Sequence, residues 1–126
     1  MISFAKVLIV TNAKTGWVEY SSYFLLPRVH KMIDTYIPVI SAQSEYGCDY
    51  PRDPSKWKEL AFQHLWDVEG LLERDCLLNL MVVGDSEYEI DAGKAMKRNS
   101  VEKTNKRIIL KSVKFTDDPS PSQLIK

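Results

Sequence analysis

The hydrophobic and polar positions of this chain alternate between two kinds of segment. Short apolar runs rich in branched side chains read as strands, and stretches with a period near 3.6 read as helices. The first run, residues 4–10 (FAKVLIV), ends in the polar triplet Thr11-Asn12-Ala13. A helical pattern follows, in which Trp17, Tyr20, Ser21, Phe24 and Leu25 are spaced to form one inward face. Its dense aromatics, Trp17, Tyr20, Tyr23 and Phe24, read as core and lid packing rather than a ligand box. Pro27 either ends or kinks that helix, or opens a second short one through His30, Met32 and Ile33. Residues 37–41 (IPVIS) form a short strand, and residues 42–53 read as a loop holding Gly47, Cys48 and Pro51. Asp53-Pro54 is an N-cap followed by proline at the first helical position. The helix it opens is predicted to run to about residue 69, with Trp57, Leu60, Ala61, His64, Leu65 and Val68 on one face.

The longest signal lies at residues 77–97, LLNLMVVGDSEYEIDAGKAMK. Its continuous hydrophobics predict a buried parallel strand. Gly84 permits a sharp exit, Ser86 can cap the next helix, and Asp85 is left at the carboxyl end of the strand. Residues 97–106 read as a charged connection, residues 107–115 (RIILKSVKF) as an edge strand, and residues 117–122 (DDPSPS) as a turn-rich stop before a helix start. Alternating strands and helices predict parallel pairing with right-handed crossovers, hence a three-layer α/β sandwich on a mainly parallel, Rossmann-like sheet. Thr11-Asn12 and Asp85-Ser86 then fall on the carboxyl edge, where open α/β sheets bind ligands.

Asp85 and Glu89 are four apart, within reach of one cation once the helix starts. Two carboxylates at a strand end, facing a helix N-terminus, suit a hard ion such as magnesium with a phosphate beside it. The competing reading is structural. Ser86-x-x-Glu89 is a capping-box pattern that satisfies helix amides. Lys56 and Lys58 stand in the first turn of their helix, the end where the dipole disfavours a cation. They are either solvated surface lysines or aimed at an anion or a carboxylate. His30 and His64 are isolated and read as helix-packing or surface residues.

Composition narrows the class. At 126 residues the chain reads as a single domain, 1–126, with 116–126 as a tail. Lys plus Arg and Asp plus Glu each number 17, and no basic stripe is evident, which argues against nucleic acid. The two cysteines, Cys48 and Cys76, form no metal-type spacing, so a reduced, cytoplasmic chain is expected. No apolar run approaches the ~18 residues that would span a bilayer, and the N-terminus lacks a signal-peptide pattern, so no membrane role is expected.

The order of these pieces resembles the haloacid dehalogenase-like superfamily, mostly magnesium-dependent phosphatases. VLIVTNA matches the family's second motif, an apolar strand ending in Ser or Thr, with Thr11 in that place. Lys58 in DPSKWKELAF is the best match to the third-motif lysine, with Lys56 in reserve. MVVGDSEYEI matches the fourth motif, Asp85 standing first and Glu89 second. The resemblance implies that Thr11, with nearby Asn12, holds phosphoryl oxygens and that Lys58 offsets charge. It gives Asp85 and Glu89 a magnesium ion to hold, Glu89 directly or through water, and names a phosphorylated small molecule or phosphoprotein as substrate.

The departure concerns the first motif, Asp-x-Asp at the end of an earlier, central strand, which carries the nucleophile. Six residues precede the apolar core of the Thr11 strand, and no Asp-x-Asp occurs in the chain. The resemblance therefore implies a sheet lacking its first core strand and little or no turnover, because covalent phosphoryl transfer lacks its acceptor. Unpaired edges of such a sheet invite pairing with a second copy. As part of a longer chain it would be a magnesium-dependent phosphomonoester hydrolase working through an aspartyl-phosphate. A reading from another class is an interaction or regulatory module without chemistry, with the Trp/Tyr-rich first helix in a partner surface.

Overall fold

The computed structural model describes residues 6–68, 78–104 and 108–116, with 120 and 122. Expectations for residues 4–5, 69, 77, 105–107, 117–119 and the helix start beyond 122 lie outside the described residues. The chain divides into two compact units, Met1–Trp57 and Lys58–Lys126.

In the first unit, strand β1 (Ile9–Thr11) pairs in parallel with β2 (Val39–Ser41), setting Ile9 opposite Val39 and Thr11 opposite Ser41. Between them run helices α1 (Trp17–Leu25) and α2 (Pro27–Tyr36). Pro27 opens α2 at its first position, and Leu26 before it leaves the helical region at φ −138°. That is the steric effect of proline on its predecessor, so two helices form rather than one kinked helix. Residues 42–53, expected as a loop, begin instead with helix α3 (Ala42–Tyr46). The signal was Ser41, whose side chain caps α3 by accepting the Ser44 amide at 3.1 Å.

The expected inward face of α1 is turned outward. Trp17, Tyr20, Phe24 and Leu25 are all exposed, and the buried residue of the helix is Ser22. A hydrogen-bonding tie decides this. Ser22 Oγ lies 2.9 Å from His30 Nδ1 and donates to the Glu19 carbonyl, which turns the small serine side of α1 toward α2. Tyr23 meets the His30 ring edge-on at 5.4 Å.

Helix α4 (Pro54–Val68) starts as its cap and proline predict, with the Lys56 amide donating to Asp53 Oδ1 at 3.0 Å. The unit boundary falls within this helix. The second unit continues with β3 (Leu78–Gly84), α5 (Glu87–Thr104) and β4 (Ile108–Lys114). β3 and β4 are parallel and in register from Leu78 opposite Ile108 to Gly84 opposite Lys114. α5 runs well into the stretch expected as a connection, because Lys, Arg and Glu are good helix formers even where no apolar periodicity marks the helix.

The core of this unit gathers Val82, Ile90, Ala92, Ala95, Met96 and Ile108, with Phe62 and Leu80 packed on Met96 and Ile108. Gly93 allows α5 to lie close on the sheet, since a Cβ there would stand 3.0 Å from Val82 Cγ2. Asn99 of α5 donates to Gln63 of α4 at 2.6 Å. β3 differs from the strand buried on both faces that its apolar run predicts. Val82 is buried, whereas Met81 and Val83 are exposed. Period-two alternation puts Leu80 and Val82 on the α5 side and their neighbours on the other.

The described residues thus form a mixed α/β structure of five helices and four strands, the strands in two parallel pairs. No helix among them is long and apolar enough to cross a membrane.

Candidate functional site

Two strand ends carry the residues singled out by the sequence. Thr11 and Asn12 belong to the first unit; Lys58, Asp85 and Glu89 belong to the second.

At the end of β1, Thr11 Oγ1 accepts the Ala13 amide at 3.1 Å, a local turn that keeps the hydroxyl proton available to donate. Parallel pairing sets Ser41 alongside Thr11, and Ser41 Oγ donates to the Ala13 carbonyl at 2.6 Å. The Thr15 amide donates to Ser44 Oγ at 3.0 Å. Hydroxyls of β2 and α3 therefore fix the backbone that leaves β1. Asn12 Nδ2 donates to the Pro54 carbonyl at 3.3 Å, and its buried Oδ1 has no hydrogen-bond partner among the described residues. Sequence reading passed over Ser41 and Ser44. The signal was a serine at the end of the second strand, which parallel register places beside Thr11.

The end of β3 is charged. Lys58 is buried despite its place near the start of α4, and its Nζ lies 2.8 Å from Glu89 Oε1. The other carboxylate oxygen, Oε2, accepts the Ser86 amide at 3.1 Å and the Ser86 hydroxyl at 2.5 Å. Glu89 thus makes the back-reaching half of a capping box and a buried ion pair at once. Burial pushes the Glu89 carboxyl up, but the hydrogen bonds from Lys58 and Ser86 and the Lys58 charge outweigh it and hold the group below its ordinary value. Lys58, the better match of the two candidate lysines, reaches the strand end through this pair.

Gly84 has a different role from the one its position suggests. Its φ is not positive, so the exit from β3 needs no glycine on that account. A Cβ at residue 84 would instead stand 2.6 Å from Glu89 Cγ and 2.7 Å from Oε2. Glycine makes room for the carboxylate to lie against the strand end. Asp85 is exposed beside it. Lys114, opposite Gly84 in register, brings a further cation to this edge and stands 3.9 Å from Glu87 Oε1. The sequence signal for Lys114 was again register, a basic residue at the end of the neighbouring parallel strand.

The arrangement offers one exposed carboxylate, Asp85, next to one whose oxygens are both engaged. Magnesium takes one or two carboxylates and keeps several waters, so of these residues Asp85 would be its ligand and Glu89 would stand in a water-mediated or supporting place. Among the described residues no group of three or more His, Cys, Asp and Glu side chains could hold a metal ion.

Comparison with known proteins returns no matching family model, no similar curated protein and no similar solved structure.

Proposed function

We propose that this chain is a haloacid dehalogenase-like domain of phosphatase ancestry that lacks the nucleophilic first motif and has little or no phosphatase turnover of its own. The observation that carries this reading is the Lys58–Glu89 pair at the end of β3, beside Asp85. It joins the third-motif lysine to the fourth-motif acid in a chain whose sequence order already resembles that family. The finer architecture belongs to the same reading: a three-layer α/β sandwich on a mainly parallel, Rossmann-like sheet that lacks its first core strand.

In this reading Asp85 would hold a magnesium ion, which would supply charge neutralisation for a bound phosphoryl group. At the end of β1, the resemblance gives Thr11 and Asn12 the role of holding phosphoryl oxygens, and the Thr11 hydroxyl proton is available to donate. The ion pair with Glu89 and the burial of Lys58 hold its ammonium at the end of β3, unlike a lysine on a solvated surface. The sequence holds no Asp-x-Asp to accept the phosphoryl, so this reading expects binding without turnover. With a longer chain that carried such a strand, the same residues would serve a phosphomonoester hydrolase with an aspartyl-phosphate intermediate.

Two measurements test this. Phosphate release from a generic aryl phosphate should stay at background with and without magnesium; magnesium-dependent turnover abolished by Asp85→Asn would contradict the inactive reading. Magnesium should raise the thermal midpoint of the chain, and Asp85→Asn should remove the rise. A midpoint indifferent to magnesium favours a bare scaffold acting as an interaction module.

A further inference from the structure

We propose that the aromatic face of α1 is a self-association surface on which a second copy of this chain docks. The face is made by Trp17, Tyr20, Tyr23 and Phe24, continued by Leu25 and Leu26. Each aromatic is about three-fifths exposed: Trp17 58%, Tyr20 61%, Tyr23 61% and Phe24 62%. The helix is amphipathic in the wrong sense for a lone domain, since it buries Ser22 and presents its rings outward.

Four features favour a second copy as the occupant. Trp17, Tyr20 and Phe24 follow the i, i+3, i+7 spacing of a helix–helix seam, so two antiparallel copies of α1 can interleave their rings about a twofold axis. Trp17, Tyr20 and Phe24 carry no charge, and the single charged residue of α1, Glu19, is partly buried one turn before Tyr23 at the margin of the face, so the seam itself sets no like charges together. The rings are already ordered: Trp17 and Tyr20 stack with centroids 6.3 Å apart, and Tyr20 and Phe24 lie at 4.9 Å, which lowers the entropy cost of docking. Finally, the four rings and the two leucines after them are each more than half exposed, an apolar surface of the order that one partner of a small stable interface contributes. A lipid surface is the poorer match, because interfacial helices carry Lys or Arg beside their apolar face and α1 has none.

Sedimentation of the full chain over a wide concentration series tests this. The weight-average mass should rise toward twice that of the single chain, and Tyr20→Glu should weaken association by roughly 30-fold or more, as loss of a central anchor does. Circular dichroism of the variant checks that the fold is retained. Hydrogen exchange on the unmodified chain tests the same point without substitution: dilution should speed exchange in residues 17–25 and leave residues 87–99 unchanged. A single-chain mass at every concentration overturns the proposal, as does a dimer that persists in Tyr20→Glu with its fold intact. So does exchange in residues 17–25 that is independent of concentration. A chain that stays single yet binds zwitterionic vesicles would assign the face to lipid instead.

Discussion

The two strand ends of this chain solve one geometric problem with opposite chemistry. Both close a parallel pair, β1 with β2 and β3 with β4, and both hand the chain to a loop that leads into a helix. At β1 the backbone is held by neutral groups: Thr11, Ser41 and Ser44 hydroxyls bonded to the amides of Ala13, Ser44 and Thr15 and to the Ala13 carbonyl. At β3 it is held by a buried ion pair with a capping serine attached. Neutral hydrogen bonds each contribute modestly and change little with pH or salt. A buried pair is poised differently, because loss of either partner strands a charge in a low-dielectric setting. The β3 end is therefore the more breakable of the two, and the more informative to break.

Lys58→Met is expected to produce the largest effect. It leaves the largely buried Glu89 carboxylate without its cation and should destabilise the fold by about 3 kcal/mol. Adding Glu89→Leu should recover most of that loss, since removing both charges costs far less than removing one. Urea midpoints of the two single variants and the double variant measure this coupling. Additive losses would mean that the pair contributes nothing as a pair. The same pair sets the pH response. The folded-state pKa of Glu89 lies below its ordinary 4.5, so its contribution is fully present above that value. It should be lost as pH falls from about 5 through 4.5 toward the lowered folded value, and Glu89→Gln should flatten the stability profile across that acid window.

Gly84→Ala ranks next. The new methyl would enter the space held by the Glu89 side chain, with Cγ at 2.6 Å and Oε2 at 2.7 Å. The carboxylate cannot swing aside without releasing Lys58 or Ser86, so the cost should be about 2 kcal/mol, in the range of overpacking. In a Glu89→Ala background the same substitution should cost well under half as much, because its obstacle is gone. Equal costs in both backgrounds would move the strain to some other contact.

The parts of this fold legible in the sequence are those where one local rule acted alone. Proline fixed the start of α2, and Asp53-Pro54 fixed the start of α4. The apolar run before Gly84 fixed β3, and parallel pairing followed from alternation. Misreadings came where a tertiary contact outvoted the pattern. The apolar spacing of α1 pointed its aromatics inward, yet the Ser22–His30 contact turned them outward. Continuous hydrophobics in β3 promised burial on both faces, and alternation exposed Met81 and Val83. At the site, the sequence offered capping and charge recruitment at Glu89 as alternatives. The carboxylate does both, one oxygen to each, and a pattern four residues long carries no trace of a lysine 31 positions earlier.

Ser41→Ala is the smallest of these effects and the one that tests the contrast most directly. It removes the α3 cap and the bond to the Ala13 carbonyl, and should cost about 1 kcal/mol. Its loss should register locally, as faster hydrogen exchange at the Ser44 amide. Because no charge takes part, the cost should be the same at pH 7 and pH 4 and at low and high salt, whereas the Lys58→Met cost should shrink as Glu89 becomes protonated. If Ser41→Ala proved as sensitive to pH as Lys58→Met, the division into a neutral and a charged strand end would fail, and some ionised group would have to be acting at the end of β1 as well.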